Sequence, residues 1–173
     1  MKVTLYMAIS ANGIIATETG DEEFLSHENW EKFCELAREF GNFVVGRKTY
    51  EAVKKWNEGY NFDDLVGVEK VIISQDKNFK LDNGYALANS PEEALAKLSK
   101  KGFKKILITG GANINSAFAK TNLLDEIIFN VEPVLVGKGI SVFAPQDFEL
   151  KLQFVSSNDS KKGIITLNYS VVK

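Results

Sequence analysis

Lys104-Lys105-Ile106-Leu107-Ile108-Thr109-Gly110-Gly111-Ala112-Asn113-Ile114-Asn115 is the stretch on which the reading of this chain turns. Ile106–Thr109 is a short apolar and β-branched run closed by glycine. That pattern suits a strand buried on both faces, as in a parallel sheet. From Ala112 the period turns helical, with Ile114, Ala117 and Phe118 spaced to cover one face. Two glycines at the carboxyl end of such a strand let backbone amides come close to a ligand. The helix that follows aims its unpaired N–H groups and positive dipole end at the same spot. A phosphate or pyrophosphate fits that geometry, but so does a plain tight turn packing helix against strand, and the glycine pair alone leaves both readings open. It is not a G-x-G-x-x-G fingerprint, because Ala112-Asn113-Ile114-Asn115 follow the pair.

Around this stretch, 173 residues read as one domain spanning 1–173, long enough to bury a substantial core. Hydrophobic residues at 45% and charged residues at 25% place the chain among soluble globular proteins. The net charge of −2 is intermixed along the chain, which argues against nucleic-acid and membrane partners. One cysteine, Cys34, excludes an intrachain disulfide, and one histidine, His27, argues against a zinc site or a catalytic triad, so no metal is expected. No apolar run approaches the roughly 20 residues that span a bilayer. The first residues alternate like a strand, interrupted by Thr4 and Tyr6, and are read as structure rather than as a leader. A cytoplasmic location follows as the expectation.

In chain order, Val3–Ile9 reads as a strand with a turn at Ser10-Ala11-Asn12-Gly13 and a short apolar patch at Ile14-Ile15-Ala16. The polar segment Thr17–Glu23 is either a lid over a site or an idle surface loop. Ser26 is placed to cap a helix to about Phe40, with Trp30, Phe33, Ala37 and Phe40 on one face and Gly41 as its stop. Glu28, Glu31, Glu35 and Glu39 lie on the other face, as solvated acids or with one catalytic carboxylate among them. Cys34 reads as a packing residue. Phe43-Val44-Val45 is a buried strand closed by Gly46, and Arg47-Lys48-Thr49-Tyr50 opens a helix to about Lys55.

Two cations in a helix's first turn oppose the helix dipole by about 0.3–1 kcal/mol each. Their placement is explained by an anion at this strand end, or by both side chains turning into solvent. Gly59–Val68 is loop, Glu69–Ser74 a strand, and Tyr85–Ala88 a shorter one. Ser90-Pro91-Glu92-Glu93 is a capping box with proline at the first helical position, opening a helix to Lys101. Leu124–Val131 is a strand. Leu150–Val155 and Ile164–Val171 form an antiparallel hairpin joined by Asn158–Gly163.

Strands alternating with helices, then an antiparallel finish, predict an α/β fold with a mostly parallel central sheet flanked by helices. Three strand ends carry anion-friendly chemistry: Gly46-Arg47-Lys48-Thr49, Ser74-Gln75 and Gly110-Gly111. In open α/β sheets ligands bind outside the carboxyl ends of strands, so the three are expected to line one crevice, and a dinucleotide is long enough to reach them all.

These residues resemble the dihydrofolate reductase superfamily over almost the whole chain and in the same order. The match runs through Ser10-Ala11-Asn12-Gly13-Ile14-Ile15-Ala16, Gly46-Arg47-Lys48-Thr49-Tyr50-Glu51, Ile73-Ser74, Thr109-Gly110-Gly111 and the closing hairpin. Within it, the chain is more similar to the reductase domain of riboflavin biosynthesis. The features shared there are Asn12-Gly13-Ile14-Ile15-Ala16, with asparagine where aspartate is usual, and Asp125-Glu126 leading into Glu132-Pro133-Val134-Leu135-Val136-Gly137-Lys138-Gly139 and Phe143.

The resemblance implies a homodimeric reductase moving hydride from NADPH to a small pyrimidine or pterin. A phosphoribosylamino-pyrimidine is the leading substrate and 7,8-dihydrofolate the second, with a non-catalytic nucleotide-binding module as the alternative from another class. It also implies that Ala8 and Ile15 pack around the nicotinamide and that Gly46, Arg47, Lys48 and Thr49 hold phosphates. Ser74 and Gln75 would lie near the adenosine, and Gly110, Gly111, Ala112, Asn113 and Ile114 would wrap the pyrophosphate. Dihydrofolate reductases hold the pterin with a carboxylate of the first helix. Counting back from Gly46 puts Trp30 at that place, and counting forward from Ala16 puts Glu28 there, which makes Glu28 the candidate. Asp76 would repel a 2′-phosphate unless Lys77 offsets it.

Overall fold

A computed structural model describes residues 1–56, 59–76, 78–160 and 162–173. In chain order the strands are β1 (Lys2–Ser10), β2 (Ile14–Ala16), β3 (Asn42–Gly46), β4 (Glu69–Ile73), β5 (Tyr85–Ala88), β6 (Lys105–Ile108), β7 (Glu126–Glu132), β8 (Ile140–Ser141), β9 (Lys151–Asp159) and β10 (Ile165–Val172). The helices are α1 (His27–Phe40), α2 (Arg47–Val53), α3 (Pro91–Lys100) and α4 (Ala112–Lys120), with a 3-10 turn at Phe62–Asp64.

Eight strands form one sheet in the order β5-β4-β3-β6-β1-β7-β10-β9. From β5 to β7 every pairing is parallel, and β10 and β9 then add antiparallel to β7. The fold is therefore of the expected α/β class, a mostly parallel sheet finished by an antiparallel hairpin. Its central strands read as continuous apolar runs because both faces are covered: Phe43, Val44, Val45, Ile106, Leu107 and Ile108 are all fully buried. Successive side chains alternate between two cores. Met7, Val44 and Ile108 join Leu95, Leu98 and Phe118 of α3 and α4, whereas Tyr6, Val45 and Leu107 join Phe33, Ala37 and Val53 of α1 and α2.

Local chemistry sets the helix ends. α1 stops at Gly41, whose φ of 69° is the left-handed conformation that ends helices at low cost. Ser90 caps α3 by accepting from Glu93 N–H at 3.2 Å, and Glu93 reaches back to the N–H of Asn89 at 2.7 Å, one residue earlier than a capping box at Ser90 predicts. Ser26 precedes α1 without capping it, because its hydroxyl is turned to Glu132.

Ile14–Ala16, read above only as an apolar patch, pairs with Ile140–Ser141 as a small second sheet. Asn12 fastens the same region: its Nδ2 donates to Val136 O at 2.8 Å, and its Oδ1 accepts from Val136 N–H at 3.1 Å. An amide serves both backbone groups, which an aspartate carboxylate cannot do.

Candidate active site

Strands β4, β3, β6 and β1 are consecutive and parallel, so their carboxyl ends open to the same side of the sheet. There the glycines allow a close approach. Gly46 N–H donates to Gly110 O at 2.7 Å. A Cβ on Gly46 would lie 2.7 Å from Cγ1 of Ile114, and one on Gly111 would lie 2.9 Å from the Thr49 hydroxyl. The Gly110–Gly111 peptide is cis. Gly46, Thr49, Gly110, Gly111 and Ile114 are thereby brought together.

Ala112 and the exposed Asn113 form the first turn of α4, whose start no side chain caps among the described residues. Ile114 N–H is taken by Gly111 O at 2.9 Å, and the amides ahead of it are of the kind that suit an anion at a helix start. Arg47 does not swing into solvent. Its Nη1 lies 3.1 Å from Asp76 Oδ2, its Nε 3.7 Å from Glu51 Oε2, and its guanidinium 5.4 Å from the centre of the Phe79 ring. Lys48 and Gln75 are exposed, while Ser74 is buried and its hydroxyl accepts from Asp76 N–H at 3.1 Å. Lys77, considered above as a counter-charge to Asp76, lies outside the described residues.

Beside these strand ends opens a cleft of about 590 Å³. Ala8, Ile15, Thr49 and Gly111 line it, with Trp30, Phe33, Trp56, Tyr60 and Phe62 as an aromatic wall and Asp21, Glu22 and Glu23 on the loop after β2. Trp30 anchors the wall, stacked on Phe62 at 5.7 Å and edge-on to Tyr60 at 5.4 Å and Trp56 at 6.1 Å. Flat apolar walls with a few fixed polar groups suit a planar heterocycle.

The fixed polar group is Asn29. It lies on the buried face of α1, 5% exposed, and lines the cleft. Glu132, at the end of β7 and also buried, accepts at Oε1 from Ser26 N–H (2.8 Å), the Ser26 hydroxyl (2.6 Å) and Asn29 Nδ2 (2.6 Å). Because Ser26 N–H can only donate, Oε1 is an acceptor, so the Asn29 amide must turn its NH₂ toward it. That leaves Asn29 Oδ1 buried with no hydrogen-bond partner among the described residues. A buried acceptor without a donor is costly, and a ligand N–H relieves the cost. Tyr6 steadies the same turn from below, donating to Asn29 O at 2.9 Å and accepting from Asn130 Nδ2 at 3.1 Å. Burial, with Glu132 nearby, pushes the Tyr6 phenol well above its usual range, so it remains a donor.

Glu28 is not brought to this cleft. Its carboxylate pairs with Lys162 at 2.6 Å beside a separate hollow between α1 and the face of β7, β9 and β10. One helical residue turns a side chain by about 100°, so the neighbour Asn29 takes the inward place. The loop carries another group that the sequence did not single out. Burial, with Asp21 adding, pushes the Glu22 carboxyl up to about 7. Asn29 had a readable signal, a polar residue in phase with Phe33, Leu36 and Ala37 on a buried stripe. Glu22 had none, since its burial depends on how the loop closes.

A mostly parallel sheet with an antiparallel closing hairpin and a cleft at the strand ends is the architecture of the reductase-like domains with the dihydrofolate reductase fold that this chain is similar to. The chain belongs to the RibD C-terminal domain family, which it matches over residues 1–166. It is 28% identical over 155 residues to YwjB of Bacillus subtilis, covering 88% of each chain. It is 23% identical over 170 residues to the 2,5-diamino-6-ribosylamino-4(3H)-pyrimidinone 5′-phosphate reductase of Methanothermobacter thermautotrophicus, covering 78% of this chain and 79% of that one. Among solved structures, a riboflavin biosynthesis protein from Shewanella sp. PV-4 superposes with a TM-score of 0.80 at 22% identity, covering 100% of both chains.

Proposed function

We propose that this chain is an NADPH-dependent reductase acting on a phosphoribosylamino-pyrimidine, of the 5-amino-6-(5-phosphoribosylamino)uracil reductase type. The observation that carries this reading is the unpartnered carbonyl of Asn29 in an aromatic cleft next to the glycine-lined strand ends. Aminopyrimidines present ring and exocyclic N–H groups, which are the donors that a fixed acceptor selects.

The residues present fit a dinucleotide. The uncapped start of α4 suits its pyrophosphate, with Arg47, Lys48 and Thr49 beside it. Ser74 and Gln75 suit the adenosine end, and Ala8 and Ile15 the nicotinamide. Bound there, the cofactor supplies hydride. The chain's own groups hold the heterocycle flat, orient it through Asn29 and keep water out with Trp30 and Phe62. Relatives bearing the pyrimidinone reductase name favour the same substrate class.

Dihydrofolate reduction is the second reading. It is disfavoured because the inward residue of α1 is an amide, which cannot provide the carboxylate that holds a pterin. Purified protein should oxidise NADPH with the phosphoribosylamino-pyrimidine and not with 7,8-dihydrofolate. Turnover of dihydrofolate alone would reverse this order, and tight NADPH binding without turnover of either would leave a nucleotide-binding module. The reading includes a cytoplasmic homodimer.

A further inference from the structure

Reduction of a C=N bond needs a proton as well as hydride, and the cleft walls narrow its source. The inference rests on the reductase reading above. On α1 the inward residue is Asn29, whose amide gives up no proton near neutral pH, and Glu28 points elsewhere. Glu132 Oε1 is occupied by three donors from Ser26 and Asn29.

The carboxyl groups left on the cleft wall, among the described residues, are Asp21, Glu22 and Glu23. Asp21 and Glu23 are exposed, and Asp21 Oδ1 accepts from Glu23 N–H at 2.7 Å. Glu22 is half-buried and forms no ion pair among the described residues. Three acids on a loop do not make a site. This loop, however, borders the cleft that Asn29 also lines, and the Oδ1 of Asn29 is buried there without a partner among the described residues, a second and independent polar feature of the same cleft.

We propose that Glu22 is the proton donor of the reduction. Hydride from the reduced nicotinamide adds to the imine carbon, and the C=N π pair moves to nitrogen and takes the Glu22 carboxyl proton. The products are an amine, oxidised nicotinamide and a Glu22 carboxylate, which regains its proton from water at the cleft mouth. With burial and Asp21 holding its pKa up at about 7, the acid is present at neutral pH. Among the described residues, the other titratable groups on the cleft wall are Tyr6 on β1 and Lys55 and Tyr60 beyond α2, with Glu132 behind Asn29.

The test compares wild type, Glu22→Gln and Glu22→Asp. Wild-type kcat should be level below about pH 7 and fall above it. Glu22→Gln should lower kcat by about 100-fold or more and lose the inflection, with NADPH affinity unchanged. Glu22→Asp should keep partial activity and move the inflection. In the free protein, carboxyl carbon NMR should show one glutamate titrating near pH 7, absent from Glu22→Gln. A wild type that turns over while Glu22→Gln keeps its rate and pH profile would overturn the donor and leave the reductase reading standing. A wild type that reduces no pyrimidine overturns both, and absence of the NMR titration overturns the donor alone.

Discussion

Asn29 concentrates what the cleft asks of a single residue: a polar side chain on a buried helical stripe, held in one orientation by Glu132 and left with one acceptor unused. Replacing it with alanine removes that acceptor where ligand donors have no water to fall back on. A lost buried hydrogen bond costs about 1–3 kcal/mol, so Asn29→Ala should raise the pyrimidine KM about 5- to 150-fold while NADPH affinity holds. A fall in Tm with KM unmoved would assign Asn29 to the fold alone.

Glu22 makes a separate prediction about stability. Its folded-state pKa, about 7, lies above the ordinary value of 4.5. Between those pH values the folded chain holds a proton that the unfolded chain has released, so this residue's contribution falls as pH rises through the window. Glu22→Gln cannot titrate, so its Tm relative to wild type should be higher at pH 8 than at pH 5. An equal difference at both would show that the carboxyl is not perturbed. At this scale the sequence was legible where chemistry is local, as at Gly41 and Ser90. It was not legible for Glu28 against Asn29, because counting through a loop of unknown path does not determine helical phase, and one residue is enough to turn the side chain away.

Elements were easier to read than residues, since period and punctuation extend over many positions. The buried runs of β3, β4 and β6, the stops at Gly41 and Gly102, and the proline-led start of α3 are all carried by neighbouring residues. β2 and β8 escaped because three and two residues are too few to show a period, and their pairing joins positions more than 120 apart. The start of α2 shows the limit of reading charge by element. Two cations there suggest an anion, yet Arg47 is held by Asp76 from the loop after β4. An exposed pair of this kind contributes about 0–1 kcal/mol, so a bound phosphate can displace it. Asp76 also places negative charge beside Ser74, the end of the site proposed for the adenosine and hence for a 2′-phosphate. Asp76→Asn should therefore tighten NADPH binding about 3- to 10-fold and leave NADH binding unchanged. Equal effects on both cofactors would place the 2′-phosphate elsewhere.

Across the whole molecule the covering of the sheet is uneven. Helices cover the parallel half on both faces, but the sheet ends in β9, whose nine residues are all exposed. Lys151 and Asp159 charge its two ends, but between them the strand exposes apolar side chains. Leu152, Phe154 and Val155 on β9, with Ile165 and Val172 on β10, are 39–59% exposed, and Phe154 meets Tyr169 edge-on with ring centres 6.1 Å apart. A long unpaired edge with apolar side chains is a poor surface to leave in water, and pairing with a second copy removes both problems at once. A self-complementary interface about a two-fold axis is the commonest way to do so. We propose β9 as the seam of the homodimer that the resemblance implies; the sequence did not point to it, because alternation along β9 looks the same whether a strand is covered or bare. Wild-type protein at micromolar concentration should have twice the chain mass by light scattering. Phe154→Asp should shift it to monomer with its far-UV circular dichroism unchanged. A monomeric wild type would remove the dimer, and a dimer indifferent to Phe154→Asp would move its interface away from β9, since a buried aspartate at the centre of that contact leaves two facing charges without partners.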